Sequence, residues 1–250
     1  MATTIVVTGK GGVGKTTVAA LMIGYLREHA SGAVLAVDAD PDSNLGTVLG
    51  VEIPSTMGDV REETLGQISK LPPGLDKAAY IEAGLHEIIV ETPKVDFLAM
   101  GRSEGPGCYC YVNNLLRKFA EDLLPSYEWM VMDSEAGMEH LSRRTAAKVD
   151  HLVVVVNHNP LSMDAGRRIL EVINSTKNPV RHKYLLVNGV PEEKAELVRR
   201  RADGLDMEYL GCIPRDEAGE EQIFDGGSLY DLRETVATER MKEVMKRLGA

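Results

Sequence analysis

The stretch Thr4-Ile5-Val6-Val7-Thr8-Gly9-Lys10-Gly11-Gly12-Val13-Gly14-Lys15-Thr16-Thr17 carries the reading of the fold. Its first part is short, continuous and apolar, as expected of a strand covered on both faces. From Gly9 to Thr16 it fits G-x-x-x-x-G-K-[ST], and the following residues, 15–30, have helical spacing. Strand, glycine loop and helix in that order are the setting in which this pattern binds phosphate. Glycines let the backbone fold into a nest of N–H groups aimed at phosphate oxygens. The helix N-terminus adds partial positive charge. Lys15 is then expected to reach the β- and γ-phosphates of a nucleotide, and the Thr16 hydroxyl to bind Mg²⁺. Gly11, Gly12, Val13, Gly14 and Thr17 complete the expected cradle.

Outward from this loop the same alternation repeats. Val34–Val37, Phe97–Met100, Trp129–Met132, Leu152–Val156, Tyr184–Val187 and Tyr209–Ile213 read as further buried strands. Helical patterns fall at 111–123, 139–149, 161–176, 191–203 and 230–248. The expected fold class is α/β: a doubly wound, mostly parallel sheet flanked by helices. Ligands then sit at the carboxyl ends of the strands. The 250 residues are expected to form one domain, with an irregular, proline-bearing insertion around 50–107.

Carboxylates stand where such a site needs them. The second strand runs into Asp38-Ala39-Asp40-Pro41-Asp42-Ser43-Asn44. Carboxylates at a strand end beside a phosphate loop can hold Mg²⁺ through water or orient an attacking water, and Asp38 and Asp40 are the candidates. Ser43 or Asn44 reads equally well as a helix cap. The strand Trp129–Met132 ends in Asp133, the pattern of a carboxylate acting on Mg²⁺, and Gly137 beyond it suits a loop that approaches the γ-phosphate.

Composition narrows the class. The chain is 44% hydrophobic and 26% charged, with a net charge of −10. Bulk acidity argues against nucleic acid, and Arg199-Arg200-Arg201 reads as a solvated helix face. No apolar run is long enough to span a membrane. With 3 cysteines, Cys108, Cys110 and Cys212, the chain has no disulfide framework, and a cytoplasmic location is expected. Cys212 sits in an apolar strand and reads as core. His140 reads as a helix-start polar residue in preference to a ligand near the switch.

Lys10, immediately after Gly9, gives the loop a second lysine. Gly9-Lys10-Gly11-Gly12-Val13-Gly14-Lys15-Thr16-Thr17 resembles the deviant Walker A loop of the dimeric ATPase family. That family includes nitrogenase iron proteins, septum-site and partition ATPases, and metal-centre maturation ATPases. The resemblance implies ATP hydrolysis and a homodimer that sandwiches ATP, with Lys10 contacting the opposite subunit's nucleotide. A lysine supplied in trans stabilises charge on the transferred phosphoryl group as an arginine finger does. Asp38–Asn44 then looks like switch I, with Asp40 matching the water-activating carboxylate, and Asp133–Gly137 looks like switch II. Asn188 resembles the adenine-reading asparagine, with Pro214 in a second matching position and Asn157 as a further candidate. Each reads also as a turn residue.

Cys108-Tyr109-Cys110 separates the subfamilies. In an extended segment both thiols point to one side. Two such pairs across a two-fold axis would make a four-sulfur site suited to Zn²⁺ or Ni²⁺. A pair of inert buried cysteines is the plain alternative. Gly107-Cys108-Tyr109-Cys110, Asp40-Pro41-Asp42-Ser43 and Gly137-Met138-Glu139-His140-Leu141 together are similar to the CooC-type maturation ATPases. That resemblance implies an ATP-dependent nickel insertase serving carbon monoxide dehydrogenase or acetyl-CoA synthase. Ser134-Glu135 departs from it by placing an acidic residue in switch II. An iron-protein-like electron donor would need well-separated cysteines, one near Gly137, which this chain lacks. A partition or positioning ATPase would use the last helix, Val236–Leu248, on a membrane surface. Docking of that helix on the sheet is the reading preferred here.

Overall fold

The computed structural model describes residues 2–67, 83–101, 118–119, 122–134, 149–175 and 180–250. An 8-stranded sheet organises them, in the order β3-β4-β2-β5-β1-β6-β7-β8. Its strands are β1 (Thr3–Gly9), β2 (Val34–Asp38), β3 (Val90–Glu91), β4 (Val95–Ala99), β5 (Trp129–Asp133), β6 (Val149–Val156), β7 (Val180–Asn188) and β8 (Glu208–Ile213). All pairings are parallel except β3 with β4. The helices are α1 (Lys15–His29), α2 (Asn44–Leu49), α3 (Met57–Gln67), α4 (Pro160–Ser175), α5 (Glu192–Arg201), α6 (Glu217–Phe224) and α7 (Val236–Leu248).

Period-two alternation builds a core on each face. Ile5 and Val7 of β1 join α1, α2 and α7 in one core. Val6 joins Met163, Ile169 and Ile173 of α4, and Ala195 and Val198 of α5, in the other. Burial on both faces explains why the strands read as continuous apolar runs. Central β1 lies between β5 and β6. The chain leaves β1 for β2 on one side and later places β6 on the other, so the loop after β1 sits at a topological switch point.

All seven expected strands form. Expected helices 15–30, 161–176, 191–203 and 230–248 form, the last beginning only at Val236 because Glu234 takes φ 52 and Thr235 caps the helix. Patterns 111–123 and 139–149 lie mainly outside the described residues. The region 50–107 is more regular than expected at its start, where Thr56 and Asp59 cap α3 through Thr56 N–H to Asp59 Oδ2 at 2.8 Å. Helix α7 buries Ala237, Met241, Val244, Met245 and Leu248, so its apolar face is docked. No helix among the described residues is long and apolar enough to cross a membrane. Cys212 is only half-buried, because β8 is the sheet's edge.

Candidate functional site

The loop after β1 leaves little room for side chains. A Cβ on Gly9 would meet the Val155 carbonyl oxygen at 2.4 Å, and one on Gly14 the Asn188 Nδ2 at 2.3 Å. Gly14 also takes φ 84, a conformation costly for other residues. It begins α1 without any side-chain cap, which leaves first-turn N–H groups for an anionic acceptor. Lys15 is buried, while Lys10, Thr16 and Thr17 are partly exposed and Gly11 and Gly12 exposed.

Two acidic strand ends stand beside the loop. Asp133 pairs in register with Val7 on one side and with Asp38 on the other. Ser134 N–H donates to the Val7 carbonyl at 3.0 Å, and Ala39 N–H to the Asp133 carbonyl at 2.8 Å. Both aspartates are fully buried, yet their surroundings differ. Asp38 accepts from Leu45 N–H at 2.9 Å and from Asp40 N–H at 3.1 Å. Burial pushes its carboxyl up to about 7 in spite of these bonds. No backbone N–H reaches either oxygen of Asp133, and the Thr16 hydroxyl is its hydrogen-bonding neighbour. Burial raises its carboxyl too, with the Thr16 hydroxyl and the Lys15 ammonium acting the other way. Asp38 thus fixes the loop and the first turn of α2, and Asp133 is the carboxylate left open beside Thr16. Ser43 gives α2 no side-chain cap; Asp38 takes that place. Asp40 is half-buried and its Oδ1 accepts from Asp42 N–H at 3.0 Å.

Beyond the glycine loop a cavity of about 300 Å³ opens between the ends of β6, β7 and β8. Val13, Thr17, Asn157, Asn188 and Pro214 line it, which brings together the expected base-recognition residues. Asn188 Nδ2 donates to the Val13 carbonyl at 2.9 Å, tying the cavity wall to the loop. Asn157 Oδ1 accepts from Asn159 N–H at 3.0 Å. Sequence reasoning missed the opposite wall, where Arg215, Asp216 and Gly219 sit with Leu229 and Leu232. Asp216 accepts from Gly219 N–H at 3.2 Å and from Ala237 N–H at 3.0 Å, joining the starts of α6 and α7. An Asp ahead of a helix was the available signal, but α6 itself was not foreseen.

Gly137, Cys108, Cys110 and His140 lie outside the described residues. Among the described residues no group of His, Cys, Asp or Glu is arranged to hold a metal ion.

A glycine loop at a switch point, an uncapped helix start and two strand-end carboxylates define a P-loop nucleotide-binding α/β protein. The CobQ/CobB/MinD/ParA nucleotide binding domain matches residues 4–229, and the chain belongs to this ATPase family. It is 41% identical over 232 residues to an uncharacterized ATP-binding protein of Methanocaldococcus jannaschii, spanning 92% of this chain and 91% of that one. It is 32% identical over 257 residues to the carbon monoxide dehydrogenase accessory protein CooC of Rhodospirillum rubrum, spanning 91% and 89%. A chain of the MinC:MinD cell division protein complex of Aquifex aeolicus superposes with a TM-score of 0.72 over 99% of this chain and 96% of that one. At 22% identity this last likeness shows the fold.

Proposed function

We propose that this ATPase is a metal-delivery switch, one domain that dimerises around ATP and inserts nickel into a carbon monoxide dehydrogenase or acetyl-CoA synthase centre. The observation that carries the reading is where the cysteine segment begins. Met100 N–H donates to the Asp38 carbonyl at 2.8 Å, so Met100 is held beside the acidic strand ends, and Cys108 and Cys110 follow it closely in the sequence. A metal site opened or closed by nucleotide state needs that proximity. The likeness to the accessory protein CooC supports the client class. A positioning ATPase shares the fold, but α7 has its apolar face docked in the core, which favours metal delivery.

ATP is the substrate. Its phosphates lie on the Gly11–Gly14 amides, with Lys15 on the β- and γ-phosphates and Thr17 alongside. Its base enters the cavity of Asn157, Asn188 and Pro214. Mg²⁺ is a hard cation that takes oxygen ligands. The two buried oxygens of Asp133, reached by no backbone N–H and next to the Thr16 hydroxyl, fit it. Thr16 and Asp133 would hold it, with Asp38 behind them through water. When bound, it supplies charge neutralisation to the phosphate oxygens. Asp40 orients the attacking water, and Lys10 of the other subunit faces the transferred phosphoryl group. Gly137 holds the γ-phosphate and is released on hydrolysis.

Four thiolates, two from each chain, bind the cargo ion, Ni²⁺ or Zn²⁺ in the same ligand set. The test is titration of the reduced protein with Ni²⁺ in the presence of ATP or ADP, followed by sulfur-to-metal charge-transfer absorption and by sedimentation. One ion per dimer is expected, and Cys108→Ser or Cys110→Ser should lose tight binding with the ATPase intact. Unchanged stoichiometry in both variants would overturn the metal reading.

A further inference from the structure

Helix α2 joins the two halves of the nucleotide site by direct hydrogen bonds at both ends. At its start, Leu45 N–H donates to Asp38 Oδ2 at 2.9 Å, the carboxylate that also holds Asp40 N–H. At its end, the Ser228 hydroxyl donates to the Leu49 carbonyl at 2.6 Å across a separation of 179 residues. Gly50 takes φ 67 there, and a Cβ on it would come within 3.1 Å of the Ser228 Cβ.

Ser228 in turn organises the far wall of the cavity. Its Oγ accepts from Tyr230 N–H at 3.0 Å, capping the single helical turn Leu229–Asp231. Its carbonyl accepts from Gln222 Nε2 at 2.9 Å, which fixes α6. Leu229, Leu232 and Gly219 of these segments line the cavity. Leu45 and Leu49 are buried in the same core as Leu229 and Tyr230, so the connection is packed as well as hydrogen-bonded.

We propose that Ser228 is a positioning residue that transmits occupancy of the base cavity, through α2, to the Asp38–Asp40 loop. A base that seats against Leu229 and Leu232 settles Ser228, and the Leu49 carbonyl and α2 follow it. The other end of α2 then sets Asp38 and, with it, Asp40. The base would raise the rate of phosphoryl transfer as well as affinity. This inference rests on the reading that the cavity takes the base and that Asp40 orients water.

The experiment compares turnover at saturation of ATP and of ribose 5-triphosphate, which has no base, both with Mg²⁺. The wild-type protein should turn over ATP faster. In Ser228→Ala that advantage should fall about fivefold, the equivalent of one hydrogen bond of about 1 kcal/mol. Turnover of ribose 5-triphosphate should stay as in wild type, and Ser228→Thr should keep the advantage. An equal loss on both substrates, or an undiminished advantage in Ser228→Ala, overturns the coupling while the base-cavity reading stands. If wild type binds and turns over the two substrates alike, the base-cavity reading falls and the coupling with it.

Discussion

His151 lies at the amino end of β6, away from the nucleotide edge, and its ring stacks 5.6 Å from that of His182 on β7 and 5.8 Å from that of Tyr184. Its Nδ1 is buried without a hydrogen-bond partner. Burial lowers its pKa below the ordinary 6.5, His182 and Arg181 add to this, and Asp150 opposes it. Below that ordinary value the unfolded chain binds the proton more readily than the folded one. Stability from His151 is therefore present above 6.5 and is lost as pH falls through the depressed folded value. His151→Phe should leave stability at neutral pH unchanged or raised by about 1 kcal/mol, since it removes an unsatisfied nitrogen. It should also flatten the acid side of the profile. Urea unfolding at stepped pH checks both, and an unaltered acid slope would assign the loss to other groups. This histidine pair was invisible in the sequence, because His151 and His182 meet only through strand register. Lys15, Thr16 and Asp133 were legible, since a local pattern places them. What Asp133 and Asp38 do differently was not, because it depends on which backbone N–H groups fold back onto each carboxylate.

Among the elements, α6 and α7 depend on a common residue. Burial would raise the Asp216 carboxyl, but the Thr235 side chain and the Ala237 and Gly219 N–H groups carry it below its usual range. Asp216→Ala uncaps α6 and removes an acceptor at the start of α7, at a cost of about 2 kcal/mol. As Asp216 also lines the cavity, KM for ATP should rise while KM for ribose 5-triphosphate should not. Thermal unfolding and steady-state kinetics test this, and equal effects on both substrates would reduce Asp216 to a cap. The strands were readable from sequence because burial on both faces makes them apolar throughout. Helices α2 and α6 were not. α2 is held by Asp38 and Ser228 from outside its own sequence, and α6, E-A-G-E-E-Q-I-F, carries too few apolar residues to show a period. The start of α7 was misjudged because the turn at Leu229–Asp231 continues the apolar pattern, while Glu234 at φ 52 breaks the backbone.

Lys10 decides whether one chain completes another's site. Whereas Lys15 is buried, Lys10 is partly exposed. Its Nζ has no carboxylate partner among the ion pairs of the described residues. A lysine that served its own nucleotide would be lost and regained with its own chain. One that serves the partner's nucleotide can be separated from Asp40, which acts on its own. Lys10→Ala and Asp40→Ala should each bind ATP and hydrolyse almost none. In a mixed dimer, the Lys10→Ala chain keeps its Asp40 and receives Lys10 from the Asp40→Ala chain, so one of its sites is whole. Random mixing makes about half the dimers mixed, each with one working site, so equal mixing should restore about a quarter of wild-type turnover. Recovered turnover that rises with the square of total protein at low concentration would tie it to association. No recovery on mixing, with ATP-dependent dimers seen by sedimentation, would place Lys10 in its own subunit's site and leave the dimer a metal clamp with independent ATPase centres.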